Sequence, residues 1–274
     1  MNKMFFIYLT SNSIKMKLYQ RFVVLILIVL FSVSCSNDDS SCRLVSIQTK
    51  TLTYDEIGTV ITFNPDFLGK TNLIYNNNKI VKTKGGPYTY NDGNAAPIRF
   101  SNDIENNIWY EGNRVITEDN FDLDNPKRVE FTIEAGQLIR KKENYLNSIP
   151  PFVVEYDYIY SANSVEEKRN NLPYRMFYFE DGNLVRVEQL FYNSNHEIVS
   201  RNDLIFSEFD TNENLAKGMY FIKGAFYKAF SNNNHKRVER KRYDYINGAF
   251  VQNTMYNSSS WMSSTDGIFE QECD

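Results

Sequence analysis

The chain has 274 residues, 34 acids against 30 lysines and arginines, a net charge of −4, and aromatic side chains at 15% of positions. Such an acidic chain, with a single basic run at Lys236–Arg242, excludes a nucleic-acid surface, which needs a basic stripe to neutralise phosphates. Two histidines and three cysteines are too few for a recognisable zinc motif.

Met1–Ser34 holds no acid, four bases (Lys3, Lys15, Lys17, Arg21) and an apolar run from Phe22 to Val33. The run is shorter than the about 20 residues a spanning helix needs. A basic start, a short apolar core and small residues make it a secretory signal. The segment from Met16 is a complete signal by itself, so Met16 is the expected translation start. Ser32-Val33-Ser34-Cys35 resembles a bacterial lipobox, with Ser32 where a leucine is usual. That resemblance implies a diacylated Cys35 as the anchor, each buried methylene adding about 0.8 kcal/mol. Ser36-Asn37-Asp38-Asp39-Ser40 resembles the acidic signal that sends lipoproteins of Bacteroidota to the cell surface. The expected organisation is a signal peptide over 1–34, a lipidated cysteine and acidic tether over 35–42, and one domain over 43–274. Without the signal, 26 bases face 34 acids, a net charge of −8. Cys42 and Cys273 then stand near the two ends of the exported chain. A bridge between them would close a loop worth roughly 4–5 kcal/mol in the chain-entropy model; two free thiols fit the spacing equally well.

From Arg43 onward the pattern is apolar alternation broken by turn residues, the mark of hairpins. Arg43–Tyr54 and Gly58–Phe63 alternate weakly. Asn72–Lys82 forms a hairpin about Asn77-Asn78, with Tyr75 opposite Ile80 and Leu73 opposite Lys82. Gly85–Asn94 reads as a turn-rich loop. Ile108–Thr117 turns at Gly112-Asn113, setting Tyr110 against Val115 and Trp109 against Ile116. Arg128–Lys141 turns at Ala135-Gly136 and pairs Ile133 with Leu138. Pro150-Pro151 interrupts the sheet before Phe152–Ser161.

Tyr174–Gln189 is the clearest unit. Asp181-Gly182 suits a two-residue type I′ turn, in which both central residues need φ > 0. That turn predicts Phe179–Leu184, Phe177–Arg186 and Arg175–Glu188 on one face, with Tyr178–Val185, Met176–Val187 and Tyr174–Gln189 on the other. A turn around Ser194–His196 follows, and Asn247-Gly248 closes the last hairpin. One segment breaks the period of two: Leu215, Met219, Ile222, Phe226 and Ala229 lie on one helical face. Asn212 or Asn214 would cap its start and Asn232–Asn234 its end. The expected fold is an all-β antiparallel meander of hairpins, curled or barrel-like, with one short helical insert near 214–230.

The unit of aromatic residue, turn, Asn or Gly, then aliphatic resembles the YD-type repeats of RHS-like proteins, most closely in Phe179–Asp210. The signal, the Asn76–Ile80 and Tyr110–Val115 hairpins and the Phe209–Asn234 segment resemble flavobacterial-type Bacteroidota lipoproteins over most of 43–245. Some relatives of that kind have a porin-like, wide antiparallel fold, which implies a curled meander here. The resemblance implies no catalytic residue and no cofactor.

The sequence contains no GxSxG, HExxH, phosphate-binding loop or GxGxxG. His196 and His235, each beside asparagines, are expected in solvated turns. Asp122-Leu123-Asp124 and Asp210–Asn214 carry oxygens at alternate positions but lack the glycine and distal glutamate of a calcium loop, and read as Asx-turns. No metal ligand set is expected. Aromatic residues are the real excess, and most belong to a core with two buried faces. Trp109, before a turn, and Trp261, in a polar loop, are the candidates for stacking on a ligand. The expected function is a non-catalytic surface lipoprotein binding a glycan or protein partner. The alternatives are an accessory subunit of an outer-membrane assembly and, less favoured, a glycan-active hydrolase working through paired carboxylates.

Overall fold

The computed structural model describes residues 42–54, 60–89, 98–119, 127–146, 148–222, 225–261 and 269–273, and within them fifteen strands form one antiparallel sheet. The first five are β1 (Cys42–Tyr54), β2 (Val60–Asn76), β3 (Lys79–Thr89), β4 (Ile98–Glu111) and β5 (Arg114–Asp119). The next five are β6 (Lys127–Glu134), β7 (Gln137–Tyr145), β8 (Phe152–Tyr160), β9 (Ser164–Arg169) and β10 (Leu172–Glu180). The last are β11 (Asn183–Tyr192), β12 (Ile198–Phe209), β13 (His235–Ile246), β14 (Ala249–Trp261) and β15 (Phe269–Cys273). From β1 to β14 every strand lies beside its sequence neighbours; β15 lies beside β1, so β14 and β15 end the order. The sheet is an open meander, and Cys42–Glu272 forms one compact unit.

Period-two burial builds one face. Val154, Tyr156 and Tyr158 of β8 are buried while Val153, Glu155 and Ile159 are exposed. The same side of the neighbouring strands contributes Leu73, Ile80, Ile108, Val115, Phe131, Leu138, Val165, Phe177, Leu184, Val187 and Phe206 to one continuous cluster. At ~25 cal/mol per Å² of apolar surface removed from water, that stripe is the main stabilising feature of the sheet.

The turns are those their residues demand. Asn77-Asn78, Ala135-Gly136, Asn170-Asn171, Asp181-Gly182 and Asn247-Gly248 all have positive φ at both positions, as type I′ requires. At Gly112-Asn113 only Gly112 is positive, the type II′ pattern. Beyond four of the type I′ turns the strict register fails, always at the third residue after the turn. The residues without a partner are Val81, Ile139, Tyr174 and Val185, each a one-residue bulge.

These bulges correct the expected pairings. Phe179 does face Leu184 and Tyr75 does face Ile80, but Phe177 faces Val187, Arg175 faces Gln189 and Leu73 faces Thr83. A strict register would have set Phe177 against charged Arg186. Tyr110–Val115, Trp109–Ile116 and Ile133–Leu138 pair as expected. The loop expected from Gly85 begins later, because β3 runs on to Thr89 through a register shift beside Gly85. At Gly86 a Cβ would sit 3.2 Å from the Ile104 side chain, which would have to shift to admit it.

Between β12 and β13 the chain leaves the sheet and lays its apolar side on the core. It does so as tight turns rather than an α-helix, with amide bonds from Lys217 to Asn214, Met219 to Ala216, Ile222 to Met219 and Ala225 to Ile222. A 3-10 turn, Lys228–Phe230, closes it. Gly218 at φ +79° breaks any α-helix that the apolar spacing would favour. Asn214 fastens the start as expected: its Nδ2 donates to the carbonyls of Lys228 (2.7 Å) and Ser231 (2.9 Å), and its Oδ1 accepts from Ala216 N–H.

This excursion touches strands far apart in the order. Phe221 meets Tyr110 of β4 edge to face at 6.2 Å, Phe230 meets Phe177 of β10 at 4.9 Å, and Tyr227 meets Phe206 of β12 at 5.6 Å. Eight strand intervals span roughly 38 Å across a flat sheet, whereas six residues, the separation of Phe221 and Tyr227, reach at most about 22 Å even fully extended. The strands curl toward the excursion.

Candidate functional site

The face that carries the core also carries charge. Glu143 (β7) is held by Lys127 Nζ at 2.7 Å and Lys141 Nζ at 3.1 Å, and it accepts from Tyr145 Oη at 3.1 Å. Lys141 lies 3.9 Å over the Tyr156 ring. Glu167 (β9), 0% exposed, accepts from Tyr158 Oη at 2.8 Å and from Arg175 Nη1 at 3.2 Å. Burial alone would push the Glu143 carboxyl up, but Lys141 and Lys127 outweigh it and bring it down to about 2. Burial pushes the Lys141 ammonium down and raises the Tyr158 phenol well above its usual range. Each carboxylate is thus neutralised in place, as buried charges must be.

Beyond this network the same side opens into a cavity of about 360 Å³, lined by Arg169, Tyr174, Leu190, Phe191, Tyr192 and His196 among others. Two connections shape it. The Asn170-Asn171 turn joins β9 to β10, and Asn170 Oδ1 accepts from Glu155 N–H at 2.9 Å. The β11–β12 connection is gathered by Asn193, whose Oδ1 accepts from the amides of Asn195 (2.9 Å) and Glu197 (3.0 Å), with His196 at φ +60°. Arg169 sits 5.6 Å over the Tyr174 ring. Tyr192 Oη donates to Pro173 O at 2.6 Å, and Tyr174 Oη accepts from Gln189 Nε2 at 2.9 Å. A wider groove of about 890 Å³, lined by Tyr178, Asp181, Arg186 and Glu208 among others, carries both signs of charge.

The residues singled out in the sequence fall as follows. Cys35 lies outside the described residues. Cys42 is disulfide-bonded, and beside it Arg43 Nη2 meets Glu272 Oε2 at 2.6 Å. Cys273 ends β15. Trp109 is half-buried in β4 with Arg128 5.3 Å over its ring, so one face of the indole is already covered. Trp261 ends β14; its side chain lies outside the described residues, as do Asp122 and Asp124. Asp210 does form an Asx-turn, its Oδ1 accepting from Asn212 and Asn234 amides, and the described residues contain no cluster of metal ligands.

His196 is exposed in its turn, as expected, and lines the cavity. His235 is a correction: it begins β13, is only 4% exposed, and packs 4.7 Å from the Phe206 ring. Phe206 and Phe209 make an apolar slot that overrides the polar asparagines before it. Burial, then Lys228, drives the imidazole well below its usual range.

From β6 to β9 the opposite strand faces are water-facing, whereas Ile116 on that side of β5 is fully buried. Arg140 pairs with Asp157 (2.7 Å), Lys142 with Glu155 (3.9 Å), Lys168 with Glu166 (3.7 Å) and Arg114 with Glu130 (3.3 Å). A charged side chain on the lipid face of a barrel costs roughly 2–4 kcal/mol at the bilayer midplane, so this side of β6–β9 is a solvated surface rather than an apolar belt. No helix among the described residues is long and apolar enough to cross a membrane.

No protein-family model matches the chain, and no curated protein matches it in sequence. In structure it is similar to a porin-like protein from Bacteroides uniformis, with a TM-score of 0.40 and 9% identity over 84% of this chain and 96% of that one. It is similar also to a porin-like protein from Bacteroides vulgatus, with a TM-score of 0.42 and 11% identity over 85% of this chain and 98% of that one.

Proposed function

We propose that this is a non-catalytic lipoprotein of the outer membrane, anchored through Cys35, facing outward, and binding a glycan or protein partner. The observation that carries this reading is placement. Antiparallel strands sort their connections into two sets, one at each end of the sheet. Cys42 enters β1 at the end that holds the 77–78, 135–136 and 181–182 turns, whereas the cavity lies among the 170–171 and 193–197 connections of the other set. The described chain therefore starts at the end of the sheet opposite the cavity. The inward carboxylates favour binding over hydrolysis, because Glu143 and Glu167 are each already held by cations.

Cys273 is the proposed partner of Cys42. The Arg43–Glu272 ion pair supports it, since each residue adjoins one of the two cysteines.

Fatty-acid labelling of the protein and its Cys35→Ala variant, with protease shaving of intact cells, tests the placement. Label lost in the variant and cleavage on intact cells are expected; label retained in Cys35→Ala would remove the anchor. A glycan array probed with the full chain, read by tryptophan fluorescence, tests the binding. A second reading, an assembly subunit, is favoured by the edge position of the 13-residue strand β14 and the half-exposed Val251 on it. Cross-linking on cells would then trap one discrete neighbour through β14.

A further inference from the structure

The Arg169 cavity has an unbalanced lining. It contains a guanidinium, an imidazole and two phenols, and no carboxylate. The acids nearest Arg169 along β9 are already engaged: Glu167 with Tyr158 and Arg175, Glu166 with Lys168. Among the described residues no carboxylate pairs with Arg169, which lies exposed against the Tyr174 ring. A single planar fork of N–H donors matches one carboxylate in a bidentate pair. A phosphate, with more charge and more acceptor oxygens, calls for several cations or a nest of amides.

The rest of the lining suits a ring bearing hydroxyls. Phe191 offers flat aromatic surface, whereas the Tyr174 ring is already covered by Arg175 at 4.6 Å and Arg169 at 5.6 Å. Tyr174 Oη accepts from Gln189 and from Arg175 and keeps its own hydrogen to donate. Tyr192 Oη donates to Pro173 and keeps lone pairs to accept. Asn170 uses its carbonyl oxygen on Glu155 and keeps its amide donors. The volume, about 360 Å³, falls near the lower end of the ~300–1,000 Å³ typical of small-molecule sites. We propose that this cavity binds a carboxylate-bearing sugar ring, a uronic-acid unit of an acidic glycan, with Arg169 on the carboxylate, Phe191 against the ring and the Tyr174 hydroxyl donating to it. This rests on the binding-protein reading above and names its ligand class.

Titration calorimetry on the purified full chain in detergent tests it, with short oligogalacturonate and oligoglucuronate against neutral oligomers of equal length and inorganic phosphate. Saturable binding of an acidic oligomer, absent for the neutral ones and weakened by salt, is expected. Arg169→Gln should weaken it at least about tenfold, and Arg169→Lys by less, since it keeps the charge but loses the fork. Arg169 is exposed, so both variants should melt within a degree or two of the parent, which separates a lost contact from a lost fold. Equal binding of neutral oligomers, competition by phosphate at the same concentration, or an acidic oligomer indifferent to Arg169→Gln would each overturn the assignment while leaving a binding protein. Silence toward every acidic oligomer overturns it too, and an array and cross-linking screen that are also silent would remove the broader reading.

Discussion

Phe177 faces Val187 across the β10–β11 hairpin, and both are fully buried, because Val185 is the extra residue of a bulge. The shift puts an aliphatic partner where a strict register would set Arg186, and it leaves Arg186 stacked 4.3 Å over Tyr178 on the other side. Phe177 then holds the excursion, with Phe226, Tyr227 and Phe230 around its ring. Phe177→Ala should cost about 3–5 kcal/mol of stability, measured by urea unfolding, with loss of near-ultraviolet circular dichroism before loss of the sheet signal. A cost under about 1 kcal/mol would show that the ring does not anchor the excursion.

Asn214 should be the polar counterpart. Only 2% exposed, it makes three hydrogen bonds within the excursion. Removing its side chain strands two buried carbonyls and an amide, so Asn214→Ala should cost about 3 kcal/mol in the same unfolding experiment. Asn214→Asp keeps the acceptor but not the donors and should recover only part of it.

Glu143 gives the fold an acid limit. Its folded value of about 2 lies below the ordinary 4.5, so its contribution is fully present above pH 4.5 and is lost as pH falls toward 2. The gap corresponds to roughly 3 kcal/mol. Stability measured across that window should fall for the parent and much less for Glu143→Gln. Parallel curves would refute the assignment.

Lys228 acts in the opposite direction. Burial brings its ammonium from 10.5 down to about 8, against the pull of Asp210. Because the unfolded chain holds that proton more tightly, stability should rise between pH 8 and 10.5. Lys228→Met should remove that rise and raise the melting temperature at neutral pH. An unchanged slope would mean that another group is responsible.

Gly136 and Gly182 occupy equivalent turn positions, at φ +78° and +75°. Nothing surrounds the place of a Cβ at Gly136, whereas at Gly182 it would strike the Asn232 amide. Gly136→Ala should therefore cost only the left-handed strain, about 1–2 kcal/mol. Gly182→Ala should cost more, because Asn232 N–H also donates to Gly182 O and joins the excursion to the turn. Equal costs would show that Asn232 gives way.

How much of this was legible in the sequence depends on the feature. Asp181-Gly182, Asn247-Gly248 and Ala135-Gly136 announce their turns because few residues tolerate two positive φ values in succession. The bulges carry no residue signal: Val81, Ile139 and Val185 are ordinary strand formers, and a uniform register is the natural first assumption. The apolar face of Leu215–Ala229 was legible and its backbone was not, since one left-handed glycine turns a helical spacing into turns. The inward charges are hidden in the sequence because charged strands read as solvated. Arg140–Glu143 and Glu166–Arg169 do hold the clue, for four consecutive charges in a strand must put some on each face. The burial of His235 is not legible because its neighbours in sequence are polar and its neighbours in space are Phe206 and Phe209. The cavity depends on two connections that meet only after folding.

The bulge at a constant offset from four turns gives those four hairpins the same shifted register, each set beside its own turn. Hairpins whose register is set beside their own turns can be added or removed as pairs of strands, widening or narrowing the curl, while the remaining ones keep the same side turned inward.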